Sequence, residues 1–277
     1  MKKLAIFELD GVIYRGDEPM PRAAEAVAEL RARGIAVRFL TNNSTRSRAF
    51  YCEKIARMGI PCAKEEMMSS GFATRIYLEE RAPHARVYIV GESGIAEELE
   101  GFTIVGPEER ETADFVVVGL DRGITYEKLT HAMDALMAGA ELIATNRDAT
   151  YPMPNGYLLP GGGALVAALA EIWGREPYVA GKPNPLGILY MMKAAGVKPE
   201  DVLLIGDRPA ADMVTGRRAG ARTCLVLTGV TPRDEVPALT GELKPDCVVD
   251  DLGGLLDLDC LKPDAAKASY NEAKIAF

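Results

Sequence analysis

The sequence predicts an α/β protein built on parallel sheets. Three observations carry this. Short β-rich apolar runs alternate with helical patterns along the whole chain, as parallel sheets with helical crossovers require. Polar clusters fall just after several of those runs, where open α/β sheets place their ligands. The long interval between two of the clusters, Thr41 to Lys182, carries a complete alternation of its own.

The elements follow in order. Residues 4–9 read as a buried strand through Leu4-Ala5-Ile6-Phe7. A helix is expected over 22–33, stopped at Gly34, and then a strand from Ile35 to Leu40 that ends at Thr41. Ser44 or Thr45 can cap a helix running to Met58 before Gly59, and Ser70 to Glu80 form another. The pattern restarts with a strand at 86–90, a short helix at 95–99 and a strongly apolar strand, Phe115-Val116-Val117-Val118. Leu129, Met133, Leu136 and Met137 recur at helical spacing over 126–137. A strand at 142–144 and a helix at 163–173 follow. The last third repeats the alternation: strand 178–180, helix 185–195, strand 202–205, helix 210–219 and an extended run at 223–227. The tail from about Pro263 is rich in alanine and lysine and reads as a loose terminal helix or disorder.

Composition narrows the function classes. At 277 residues there is room for two modest domains or one large one. The net charge of −8 argues against a general nucleic-acid binder. No run of 18 apolar residues suggests a membrane span. The five cysteines are odd in number, widely spaced and without CxxC, and there are two histidines, so zinc and Cys/His nucleophiles are poorly supported. The expected setting is a reducing cytoplasm. His84 and His131 read as surface or packing residues.

Four polar clusters sit at expected strand ends: Glu8 and Asp10; Thr41-Asn42-Asn43-Ser44; Lys182 in Gly181-Lys182-Pro183; and Asp207 with Asp212. Singly, each is an ordinary cap, turn or loop. Together they are complementary. Several carboxylates make a site for a hard cation such as Mg²⁺. A hydroxyl, helix-start amides and a lysine make a site for an anion. A cation beside a phosphate pocket points to phosphoryl transfer, with a carboxylate nucleophile and a second acid for proton transfer.

At these residues the chain resembles the haloacid dehalogenase (HAD) superfamily, and within it the NagD-like, p-nitrophenylphosphatase-like branch. The resemblance covers nearly the whole chain. Besides the four clusters it rests on Gly11-Val12-Ile13-Tyr14-Arg15-Gly16, Thr145-Asn146-Arg147-Asp148, Pro160-Gly161-Gly162-Gly163 and Leu225-Val226-Leu227-Thr228-Gly229-Val230. It implies a Rossmann-like, discontinuous HAD core, 1–79 and 178–277, with a large inserted α/β cap at 80–177. It implies that residue 8 is nucleophile and metal ligand, and that Asp10 is the general acid/base with its carbonyl on Mg²⁺. Thr41 and the Asn42 amide would grip phosphoryl oxygens, with Asn43 beside them. Lys182 would neutralise charge, and Asp207 would bind Mg²⁺ with Asp212 in support. Arg147 and Asp148, after a cap strand, are candidate specificity residues. The implied substrate is a small phosphorylated metabolite, and a homodimer through the cap is compatible with the branch.

One residue departs from the pattern. The family's aspartate nucleophile is here Glu8. Glutamate keeps the charge but extends the carboxylate by about 1.5 Å, one carbon–carbon bond. A misplacement of ~1 Å can cost on the order of 10²-fold in rate. Three readings stand: an introduced change that blocks turnover, a natural phosphatase with a slowed or retuned rate, and a phosphate- and metal-binding regulator that does not turn over.

Overall fold

The structure, a computed structural model, describes residues 3–152 and 157–261. The expectation for the tail from about 263 lies outside the described residues.

Two parallel sheets organise the chain. The larger has six strands in the order Cys247–Val249, Arg222–Val226, Val202–Gly206, Leu4–Glu8, Ala36–Thr41 and Met67–Ser69. Every pairing in it is parallel. The first strand is central, with Phe7 opposite both Ile205 and Phe39. Its apolar run is continuous because both faces are covered, as parallel sheets require. Alternation sends Ala5 and Phe7 into one apolar cluster and Leu4 and Ile6 into the other. All four are fully buried, and burying each large side chain contributes roughly 1.5–3 kcal/mol.

The second sheet runs Tyr178–Val179, Glu141–Ala144, Phe115–Val118, Arg86–Val90 and Thr103–Ile104, again parallel throughout. The same alternation splits Phe115-Val116-Val117-Val118 between two clusters, Val116 and Val118 on one face and Phe115 and Val117 on the other.

The structure corrects two features of the division expected at 79/80 and 177/178. The strand Tyr178–Val179, assigned above to the core, hydrogen-bonds beside Glu141–Ala144 in the second sheet. A two-residue strand carries no pattern that says which sheet it joins. The helix Ser70–Arg81 also serves both units. Phe72, Ala73 and Ile76 pack in a core cluster, whereas Leu78 packs under the second sheet. The two places where the chain crosses between units touch: the rings of Tyr77 and Tyr178 stack with centroids 3.7 Å apart.

Most expected helices form within a few residues of their predicted ends. The exception is 210–219, which opens as a wide π-type turn, Pro209–Met213, before the short helix Val214–Arg218. Unforeseen elements are the edge strands Met67–Ser69, Thr103–Ile104 and Cys247–Val249, and two small hairpins, Tyr14–Arg15 with Glu18–Pro19 and Thr150–Pro152 with Leu158–Pro160. Among the described residues no helix is long and apolar enough to cross a membrane.

Candidate active site

The carboxyl ends of the two sheets face each other across one cleft. Glu8 and Thr41 are the last residues of neighbouring core strands, and Asp207 follows Gly206, the last residue of a third. From the second sheet, Thr145, Asn146 and Asp148 follow the strand Glu141–Ala144. Ser44 Oγ lies 2.9 Å from Thr145 Oγ1, and Asn146 Nδ2 donates to the Asn42 carbonyl at 2.8 Å. A close approach makes this possible: a Cβ on Gly119, after Phe115–Val118, would lie 2.6 Å from Ser44 Oγ and 2.8 Å from Thr145 Oγ1. The enclosed space is small, about 120 Å³, and Glu8, Asp10, Thr41, Asn42, Asn43, Asp148 and Lys182 all line it.

Lys182 is the electrostatic centre. Its Nζ donates to Asp212 Oδ1 at 2.6 Å and to Glu8 Oε1 at 3.2 Å, and it is 5% exposed. Burial opposes its charge, but Asp212 and Glu8 outweigh that and hold the ammonium above its usual range. Glu8 is under the opposite pressure. Burial pushes its carboxyl well above the ordinary range, Lys182 pulls it back, and Asp212, Asp10 and Asp207 push it up again. Asp207 rises to about 7, first through burial and then through Asp212. Asp10 is also raised, chiefly by burial, against Lys54, Arg208 and Lys182. Its carboxylate lies 3.5 Å from the Tyr14 hydroxyl.

The loops around Asp207 are built to its shape. Val230 N–H donates to Oδ2 at 2.9 Å, and Thr231 Oγ1 donates to the Asp207 carbonyl at 2.6 Å. Gly11 turns with φ +85°, and a Cβ there would sit 2.6 Å from Asp207 Oδ2. A glycine is needed on both counts.

Whether these residues fit a cation can be tested on their unpaired atoms. Glu8 Oε2 and Asp207 Oδ1 are buried without a hydrogen-bond partner. Such atoms are costly unless something satisfies them. Four carboxylates, Glu8, Asp10, Asp207 and Asp212, gather around the Lys182 ammonium, and Lys182 is hydrogen-bonded to two of them, Glu8 and Asp212. Among the described residues no three His, Cys, Asp or Glu side chains form a ready cage. The fit is to a hard cation that takes two carboxylates and completes its shell with carbonyls, substrate or water, as Mg²⁺ does.

Two of the residues expected in the site take other roles. Asp212, expected to support the metal site behind Asp207, has both oxygens engaged: Oδ1 by Lys182, and Oδ2 by the amides of Asp207 and Arg208 at 3.1 and 3.0 Å. It orders the lysine and the Asp207 turn. Arg147 is not in the cleft. Its guanidinium is half exposed and pairs with Glu176 at 2.6 Å, so the Asn146–Asp148 turn sends it outward while Asp148 faces in. Thr41 Oγ1 accepts from Asn43 N–H at 3.1 Å, and Asn43 Oδ1 accepts from Thr45 N–H and Oγ1.

Sequence reasoning expects Ser44 to line the pocket, as it does, but misses its contact with Thr145, and misses Asn146 and the side chain of Asn42. Asn42 was expected to act through its backbone. The recurrence of Asn42 and Asn146, each one residue past a strand-ending or strand-following threonine, was the available signal.

With this order of groups along the core sheet the class is set: a HAD-type hydrolase of the NagD-like, p-nitrophenylphosphatase-like kind. The chain belongs to the haloacid dehalogenase-like hydrolase family. A family model of that description matches residues 5–104, and a second, HAD-hydrolase-like, matches 179–255. The chain is 38% identical over 250 residues to the 5′-nucleotidase YutF of Bacillus subtilis (strain 168), across 89% of this chain and 94% of that protein. It superposes on the p-nitrophenyl phosphatase from Archaeoglobus fulgidus with a TM-score of 0.85 and 36% identity, covering 92% and 98% of the two chains. A glycerol phosphate phosphatase from Mycobacterium tuberculosis, solved in complex with magnesium, gives a TM-score of 0.84 at 30% identity, covering 96% of this chain and 78% of that one.

Proposed function

We propose that this chain, a phosphoric monoester hydrolase by family, cleaves small phosphomonoesters through a covalent acyl phosphate on Glu8, with Mg²⁺ as cofactor and a slowed rate. The observation that carries this reading is the Glu8 carboxylate itself: buried at a strand end, held on one oxygen by Lys182, unpartnered on the other, and lining the cleft. The relatives act on different phosphate esters, which supports the phosphomonoester class and leaves the leaving group open.

Glu8 attacks phosphorus, and the ester P–O bond breaks. Asp10 in its protonated form, which burial favours, gives its proton to the departing oxygen. Asp10, now a carboxylate, takes a proton from water as the water attacks phosphorus. The acyl-phosphate P–O bond breaks, releasing inorganic phosphate and restoring the Glu8 carboxylate. The Thr41 hydroxyl accepts from Asn43 N–H and keeps its own proton to donate to a phosphoryl oxygen. The Asn42 amide serves a second oxygen. Lys182 offsets charge between Glu8 and the phosphoryl group. Glu8, the Asp10 carbonyl and Asp207 would hold Mg²⁺, with Asp212 behind them. When bound, the ion neutralises charge on the phosphoryl oxygens.

The test is Mg²⁺-dependent hydrolysis of p-nitrophenyl phosphate by this protein and by Glu8→Asp. The aspartate form should be faster by about 10²-fold, because the added methylene displaces the attacking oxygen. Equal rates would remove the geometric argument. No turnover in either form, with Mg²⁺ and phosphate still bound, would favour the second reading, a phosphate- and metal-binding regulator. That reading is motivated by the same residue.

A further inference from the structure

Lys182 is fixed at its ammonium by carboxylates of the core, but its backbone is fixed from elsewhere. Asn42 Oδ1 accepts Lys182 N–H at 2.8 Å, and Asn42 Nδ2 reaches the Lys182 carbonyl at 3.2 Å. One side-chain amide therefore grips both backbone polar groups of the lysine, its N–H and its C=O. The same Nδ2 is 3.3 Å from each oxygen of Asp148, which belongs to the inserted unit. An asparagine amide can turn over and exchange oxygen for nitrogen at almost no steric cost. Here three partners agree on one orientation. If the amide flipped, its oxygen would face the Asp148 carboxylate and the Lys182 carbonyl.

Other contacts tie the same place to the second sheet. Asn146 Nδ2 and Ser70 Oγ both donate to the Asn42 carbonyl, at 2.8 and 2.5 Å. Gly181 N–H donates to the Thr145 carbonyl at 2.8 Å. The loop carrying Lys182 is thus clasped between the Asn42 turn and the turn after Glu141–Ala144.

We propose that Asp148 and Asn42 are positioning residues for Lys182, so that docking of the inserted unit sets the placement of the catalytic ammonium. The inference rests on the reading above for the role of Lys182, and it reassigns Asp148 from choosing the substrate to orienting the catalyst. Separation of the two units breaks the Asn42–Asp148 and Asn42–Asn146 bonds and leaves the amide held by Lys182 alone. Closure rebuilds them and fixes the backbone of the lysine loop, which refines where the core carboxylates hold its ammonium.

Two measurements test this on the full chain. Hydrogen exchange of the segment containing Gly181 and Lys182 should quicken on Asp148→Ala by about 10-fold and return most of the way in Asp148→Asn, whose carbonyl still accepts from Asn42. In the Glu8→Asp form, Asp148→Ala should lower kcat for p-nitrophenyl phosphate by about 10-fold while KM changes less than about two-fold, with rescue by Asp148→Asn. Unchanged exchange would overturn the link to Lys182. Faster exchange with unchanged kcat, or a loss confined to KM and dependent on the leaving group, would overturn the positioning role. If Glu8→Asp shows no phosphatase activity, the functional reading fails separately, and the exchange result still decides the link.

Discussion

The two sheets of this chain are alike in construction and unlike in what they present. Both are parallel, both bury their strands on two faces, and both turn their carboxyl ends to the same cleft. The core sheet ends in charge: Glu8, with Asp10 two residues on, and Asp207 after Gly206. Most strands of the second sheet end in small or neutral residues, Gly91 after Arg86–Val90, Gly119 after Phe115–Val118, and Thr145 and Asn146 after Glu141–Ala144, while Tyr178–Val179 leads to Lys182. The same architecture thus supplies reactivity on one side and fit on the other. Parallel topology brings loops together at one edge; residue type decides whether that edge reacts or docks.

Substitutions can break this contrast in graded steps. The largest effect is expected where charge does chemistry. In the Glu8→Asp form, Asp10→Asn should reduce p-nitrophenyl phosphate turnover by about 10²–10⁴-fold, the usual contribution of a general acid/base. A loss of less than three-fold would remove Asp10 from that role. Next is Asp207→Asn, which halves the unpaired oxygen supply for the cation. Calorimetry should show Mg²⁺ affinity down by about 10-fold or more, since a neutral amide is a poorer ligand for a hard ion. Undiminished affinity would refute the metal site.

On the docking side the expected effects are smaller and appear as stability. Gly119→Ala places a Cβ against Ser44, Ile95 and Thr145 and should cost about 1–3 kcal/mol by overpacking. Gly106→Ala is the contrasting change. Its φ is −83° and nothing lies within 4 Å of the added carbon, so denaturant unfolding should find it neutral or slightly stabilising. Equal costs at the two glycines would erase the argument from close approach. Smallest is Arg147→Ala. An exposed pair with Glu176 is worth about 0–1 kcal/mol, and kcat and KM should stay where they were. A clear rise in KM would return Arg147 to the cleft.

How much was legible in the sequence follows the same division. Glu8, Asp10, Thr41 and Asp207 were placed correctly because each follows a long apolar run whose end is unambiguous, as at Val202–Ile205. Met67–Ser69 was missed because three residues show no period and run straight into a helix. Tyr178–Val179 was assigned to the wrong sheet because pairing partners are set by tertiary contacts. Arg147 and Asp148 are adjacent and polar, and nothing in their order says which one turns inward. The seam was harder to read than the catalytic edge, since it depends on glycines and amides whose meaning lies in what approaches them.

The central core strand also imposes a timetable. Leu4–Glu8 pairs on one side with Ala36–Thr41, which emerges soon after it, and on the other with Val202–Gly206. At roughly 5–20 residues per second of synthesis, about 200 residues of chain separate Glu8 from that second neighbour, a wait on the order of 10–40 s. The strands of the second sheet all lie in one stretch of chain, from Arg86–Val90 to Tyr178–Val179, with the small hairpin Thr150–Pro152 and Leu158–Pro160 between the last two, so its sheet can close first. The nascent protein can therefore finish its second sheet before it owns Asp207 or Asp212, and a chain stopped short of Asp207 lacks the last of the four polar clusters.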